Sequence, residues 1–222
     1  MTKSCAGRRS TPALFFCMAA RFENQSLADF LEGLARKTPT PGGGAVASAI
    51  GALGCALGRM VLAYSVDKKS LQTHRKTLGS AQDALTLSQT LMLRLANEDE
   101  QAYATLNTLQ KLAPDDPARA KLPHAASEAA RVPLACMAAS VNTLRLLATL
   151  PEITNVYLRS DLAIAAVLAQ AAARAGAWNV LVNLPGLDDD TQRAQMHAQM
   201  EQLLADAGSL CAKIEQACVQ SA

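Results

Sequence analysis

Thr38-Pro39-Thr40-Pro41-Gly42-Gly43-Gly44 leads without a break into the apolar run Ala45 to Val66. Each proline disfavours helical geometry in the residue before it, so the approach is extended. The three glycines provide backbone without Cβ, which admits positive φ and lets a ligand or another backbone come close. From Ala45 the run is rich in Ala, Leu and Val and holds no proline, which predicts a helix to about Tyr64. The free N–H groups of its first turn would face the glycine loop, a place for an anionic or carbonyl oxygen. Taken alone, the stretch reads equally as a flexible turn before a buried helix. Gly44, Ser48, Gly51, Cys55 and Gly58 recur at alternating steps of four and three. They form a stripe of small residues that permits close approach of another helix or a flat ligand. The run is long enough to raise a membrane span. Arg59 lies inside it, and its glycines and alanines add little hydrophobicity, so a helix at the centre of a bundle fits better.

Working outward, Ser26-Leu27-Ala28-Asp29 has the form of a capping box with Asp for Glu. It predicts a first helix from Leu27 to about Arg36 with Leu27, Phe30, Leu31 and Leu34 on one face. Downstream, Asp67-Lys68-Lys69-Ser70 interrupts the apolar run, and a long helix then extends to about Leu112. Its seam is Leu71, His74, Leu78, Ala81, Leu85, Ser88, Met92, Leu95, Asp99, Ala102, Leu106 and Leu109, a sustained heptad pattern. Asp99 is the carboxylate in that seam. Such a group is costly unless it is paired, solvated in a cavity or kept protonated. The alternative is a rim position, because Asn97, Glu98 and Glu100 make the stretch polar all round.

Pro114-Asp115-Asp116-Pro117 is a loop, and Ala118 to Leu150 is helical in pattern, started or kinked by Pro123 and Pro133. Asn155 to Arg159 is a connection. Ser160 is placed as the cap of a helix from Asp161 to about Leu184, with Asp161 favoured by the helix dipole. Asn179 and Asn183 lie one turn apart on it, and buried amides need partners, so they are helix–helix glue or ligand contacts. A last amphipathic helix runs from about Thr191 to Val219.

The 222 residues form one domain with chain enough for a core. Half are hydrophobic, only 4% are aromatic, and alanine and leucine dominate. The expected fold is all-α, a compact up-and-down bundle of about six long helices. A net charge of +2 without a basic patch gives no basis for a nucleic-acid partner. The six cysteines form no CxxC pair, and Cys55, Cys136 and Cys211 fall within apolar helical patterns. This is cytoplasmic usage. His74, His124 and His197 are scattered, so no metal site is expected from them. Residues 1–25 read as an N-terminal extension ahead of a domain at 26–222. They are a disordered tail or a mis-assigned start, with Met18 the working start. Their resemblance to a signal peptide is loose, because the apolar core is short and no small-x-small site closes it.

The ordered motifs carry a family resemblance. Pro39-Thr40-Pro41-Gly42-Gly43-Gly44-Ala45-Val46 with Gly51 to Val61 resembles the hallmark of the cyclodeaminase/cyclohydrolase family, the C-terminal domain of formiminotransferase-cyclodeaminase, which also occurs as a stand-alone bacterial cyclohydrolase. Lys68-Lys69, Asp99 to Tyr103, Val132-Pro133-Leu134, Asn155 with Arg159-Ser160-Asp161, and Gly176-Ala177 with Asn179 to Leu184 follow in the family's order. The resemblance covers about Ser26 to Gly208. It implies an all-α homodimer, with no nucleic-acid or membrane partner, that acts on folate-bound one-carbon units without a metal or a resident cofactor.

The family's catalytic aspartate maps onto Asp99, the residue that the heptad pattern also marks. Pro41, Gly42, Gly43 and Gly44 would let the pterin approach backbone. Asp161, Asn179 and Asn183 would meet its edge, and Lys68 and Lys69 the glutamate tail. Asn97 and Ser70 depart from the family pattern at an acidic and a basic position. The expected activity is hydrolysis of 5,10-methenyltetrahydrofolate to 10-formyltetrahydrofolate. The alternatives are release of ammonia from 5-formiminotetrahydrofolate and a helical scaffold without catalysis.

Overall fold

The computed structural model describes residues 24–220. The extension read at 1–25 lies outside the described residues apart from its last two, as do Cys5, Cys17 and Met18. Six α-helices follow in order: α1 (Leu27–Ala35), α2 (Gly43–Val66), α3 (Arg75–Gln110), α4 (Leu122–Leu147), α5 (Arg159–Asn183) and α6 (Asp190–Gln220). Short 3-10 turns at Lys69–His74, Pro117–Lys121, Val156–Leu158 and Leu184–Gly186 join them. The all-α expectation holds, and the described residues contain no strand. Helices α2 to α5 run alternately up and down as a four-helix bundle, and α6 packs against α4 and α5.

The pairing of α2 with α3 explains the glycine spacing. A Cβ on Gly44, Gly51 or Gly58 would meet Asp99, Met92 or Leu85 at 2.1, 2.8 and 2.9 Å. Glycines seven apart on α2 are therefore notches for α3 seam residues seven apart. On its other side α2 lies against α5, where a Cβ on Gly54 would sit 3.0 Å from the Ala165 carbonyl. Burial of Leu62, Leu78, Leu85, Leu144, Leu147, Leu162 and Ile214 fills the lower core.

Several local expectations are corrected. Helix α2 begins at Gly43, not Ala45, and among the described residues no glycine has positive φ. The glycines serve close approach, and the turn geometry needs no left-handed residue. The long third helix begins at Arg75 after a 3-10 turn. Ser160 does not cap α5, because the helix already starts at Arg159 with Leu158 at the N-cap. Asn155 caps instead, its side chain accepting from Tyr157 N–H ahead of the short turn. In α1 Ser26 caps as read, accepting from Asp29 N–H. Of its predicted apolar face only Phe30 is buried, while Leu27 and Leu31 are exposed, because α1 lies outside the four-helix core.

Helix α2 and the stretch Val156–Gly186 are each long and apolar enough to cross a membrane by length and composition. In this fold each turns one side into the bundle and leaves the other uncovered.

Candidate active site

Asp99 projects from the middle of α3 onto Gly44, in the first turn of α2. The fit depends on the missing Cβ. Desolvation by the surrounding bundle raises its pKa from 3.8 to about 6, and the neighbouring charge of Glu100 adds to the rise. Neither cause is a hydrogen bond or a cation, so nothing offsets the cost of ionising it. The carboxyl group thus changes protonation near neutral pH.

The apolar layer beneath is built from sulfur and hydroxyl groups. Ser48 Oγ donates to Cys136 Sγ at 3.6 Å, and Cys136 Sγ lies 4.0 Å from Met92 Sδ. Burial pushes the Cys136 thiol up to about 11, and Asp99 contributes to that rise. Cys136 is therefore neutral packing beside the carboxylate. The sequence marked it only as a core residue.

The C-terminal end of α5 closes the same corner. A Cβ on Gly43 would lie 3.2 Å from Asn179 Oδ1. Asn179 Nδ2 donates to the Ala175 carbonyl, which fixes the side chain. Asn183 has a structural assignment that connects two sequence motifs. Pro133 lies inside α4 and has no N–H to give to the carbonyl four residues back, that of Ala129. Asn183 Nδ2 supplies the missing donor at 2.9 Å and also donates to the Asn179 carbonyl at 2.8 Å. Both of its amide hydrogens are thus committed to backbone, and Asn183 acts as glue between α4 and α5.

Gly42, Gly43, Gly44, Asp99 and Asn179 therefore converge, with Pro41 leading into them. Lys68, Lys69 and Asp161 do not join them within the chain. They lie where α2 ends and α5 begins, and α2 spans 24 residues, ~36 Å at 1.5 Å per residue. Lys68 Nζ donates to Asn155 Oδ1 at 2.8 Å and stands 5.2 Å from the Tyr157 ring centroid. Ser65 Oγ accepts from Asn155 N–H at 2.9 Å and holds the cluster to α2. A further groove of about 950 Å³ runs between α3 and α4, lined by Arg94, Glu98, Lys121, His124 and Arg131 among others. Asp99 does not line it. Arg94 and Arg131 are already paired with Glu98 and Glu128.

The described residues thus form an all-helical bundle with a partly buried carboxylate seated on a glycine notch. The chain belongs to the formiminotransferase-cyclodeaminase family, whose model matches residues 26–202. A methenyltetrahydrofolate cyclohydrolase of Methylorubrum extorquens is 34% identical over 86% of this chain and 94% of its own length. The formimidoyltransferase-cyclodeaminase of Sus scrofa is 26% identical, and the chain spans 36% of its length. A crystal structure of formiminotetrahydrofolate cyclodeaminase from Thermotoga maritima superposes with a TM-score of 0.83 at 29% identity, covering 89% of this chain and 98% of that one.

Proposed function

We propose that the domain at 26–222 hydrolyses 5,10-methenyltetrahydrofolate to 10-formyltetrahydrofolate with Asp99 as the group that moves protons. The observation that carries this reading is the Asp99 carboxyl group, raised to about 6 and seated on the α2 N-terminus. The stand-alone cyclohydrolase that the chain matches almost end to end supports the choice of reaction.

The substrate carbon is cationic between N5 and N10. The cation beside Asp99 favours the ionised carboxylate, which takes a proton as water adds to that carbon. The protonated acid then returns the proton to N5 as the C–N5 bond breaks. The hydroxyl proton leaves to solvent as the formyl carbonyl forms, so one water is consumed and one proton released. The bare glycine backbone at Gly43 and Gly44, with Asn179 beside it, offers the pterin a flat approach with amide hydrogen-bonding groups. The domain works in the cytoplasm, as its cysteines in apolar helices imply.

The second reading is cyclodeamination of 5-formiminotetrahydrofolate, supported by the Thermotoga maritima structure and by the animal relatives. The same carboxyl group serves there, protonating the departing ammonia as N10 closes on the carbon. The test follows the methenyl absorbance with purified protein above a buffer blank. Loss of signal, abolished in Asp99→Asn, supports hydrolysis. Appearance of the signal from 5-formiminotetrahydrofolate with ammonia release supports cyclodeamination. Silence with both substrates overturns catalysis and leaves the scaffold.

A further inference from the structure

The groove between α3 and α4 lies outside the corner that Asp99 occupies. Its volume of about 950 Å³ falls in the range of small-molecule sites, about 300–1,000 Å³. Side-chain size explains why it is open. Ala102 and Leu109 on α3, with Ala125 and Val132 on α4, form its floor. On each helix the two floor residues are two turns apart and share a face. Alanine at one position of each pair leaves no long side chain to fill the space. Leu109, Ala125 and Val132 are buried, so the core fixes an apolar floor.

The walls are polar and differ from end to end. At one end Arg94 pairs with Glu98 at 3.1 Å, and Arg131 with Glu128 at 2.6 Å. Glu98 also acts on Arg131 across the groove. Two cations stand against two carboxylates, so this end is balanced.

Lys121 and His124 stand at the other end, facing the neutral side chains of Gln101 and Thr105 on α3. Among the described residues no carboxylate lies within ion-pair distance of either cationic group. His124 does act on Glu128, one turn on. Both Glu128 oxygens, however, accept from Arg131, at 2.8 and 2.6 Å. Helix α4 also begins here, and its N-cap Lys121 supplies no side-chain acceptor. The positive end of the helix dipole therefore adds to the two side chains.

We infer that the α3/α4 groove binds an elongated small molecule with a flat apolar body and a carboxylate at one end, the carboxylate held by Lys121 and His124. Lys121 and Arg131 are ~15 Å apart along α4 at 1.5 Å per residue, which sets the length of the ligand. Its body covers the two alanines, and an amide or amine at its far end meets the balanced ion pairs. The charge sets the head group. One lysine and one histidine beside a committed Glu128 match a single carboxylate, whereas a di- or triphosphate calls for more cations. The floor sets the size. It runs ~10 Å along each helix, far short of the about 800 Å² per partner of a stable protein complex.

The test uses the full chain and dansylglycine, a fluorescent naphthalene that carries a carboxylate. Its emission is expected to rise on binding, and dansylamide, the same ring without the carboxylate, is expected to bind about tenfold more weakly. The double variant Lys121→Ala/His124→Ala is expected to lose about tenfold in dansylglycine affinity and little in dansylamide affinity. Lys213→Ala, which removes one charge from α6, is expected to change neither. Ala102→Leu puts a leucine on the floor without loss of helix propensity. It is expected to weaken both probes about tenfold or more, with unchanged circular dichroism. Equal affinity for the two probes overturns the inference. So does dansylglycine binding that survives Ala102→Leu, because it then takes place at another apolar surface.

Two sources offer this chemistry: the benzoyl-glutamate tail of a folate, and a separate aryl or acyl carboxylate. Turnover by Lys121→Ala distinguishes them. A KM for 5,10-methenyltetrahydrofolate raised about tenfold with kcat kept assigns the groove to the tail. An unchanged KM assigns it to a separate molecule. Only this comparison rests on the folate reading. The probe measurements need no turnover, so they stand or fall apart from it.

Discussion

Replacing Asp99 by Asn is expected to stabilise the protein at pH 8 while removing its activity. The native carboxyl group has a pKa of about 6 against 3.8 for the free group. At ~1.4 kcal/mol per pH unit, that difference is about 3 kcal/mol of cost carried by the ionised form. Partial solvent contact trims it, so the expected gain in Asp99→Asn is about 1–3 kcal/mol. The sign follows from proton binding. Between pH 4 and 6 the native state holds a proton that the unfolded chain has released, so this group's contribution to stability falls as pH rises through that window. The full cost is present above about 6 and vanishes below 3.8.

Urea unfolding of both proteins at pH 8 and pH 4 isolates the effect. At pH 8 the variant unfolds at higher urea, with a Tm rise of about 2–10 °C for a chain of this size. At pH 4 the two curves converge. An Asn variant that is no more stable at pH 8, with a pH-independent difference, refutes the reading of Asp99 as a desolvated and uncompensated carboxylate.

Gly44→Ala and Gly54→Ala separate site geometry from packing. The new Cβ at 44 collides with the carboxyl group of Asp99. Gly44→Ala therefore loses kcat by about 10²-fold or more with a Tm within a few degrees of wild type. The Cβ at 54 meets the Ala165 and Ala169 backbone, so Gly54→Ala costs about 1–3 kcal/mol in urea unfolding. Asn183→Ala leaves the Ala129 carbonyl without the donor that Pro133 cannot give, at about 1–3 kcal/mol. Pro133→Ala in the same chain restores a backbone N–H and recovers part of the loss, which a double-mutant cycle measures.

The α3 seam and its misplaced carboxylate were legible because a heptad is a local pattern, and Asp99 interrupts it. The small stripe of α2 was equally legible. What it receives was not, since the pairing of Gly44, Gly51 and Gly58 with Asp99, Met92 and Leu85 is a tertiary register. The start of α2 was misread because glycine has low helix propensity, which packing against Asp99 and Asn179 overrides. Asn183 was read as glue or a ligand contact, and the choice needed a carbonyl 54 residues away. Lys68, Lys69 and Asp161 were grouped with the glycine loop by family order, yet they lie at the far end of α2.

The central claim is that Asp99 moves protons in the folate reaction with a pKa near 6. The most direct measurement is the pH dependence of kcat/KM for 5,10-methenyltetrahydrofolate, with the spontaneous rate subtracted, in wild type and Asp99→Asn. The account predicts a limb near pH 6 below which the wild-type rate falls, because the base becomes protonated. It predicts a loss of about 10²–10⁴-fold in the variant. A flat wild-type profile from pH 5 to 8, or an Asn variant with wild-type turnover, contradicts it.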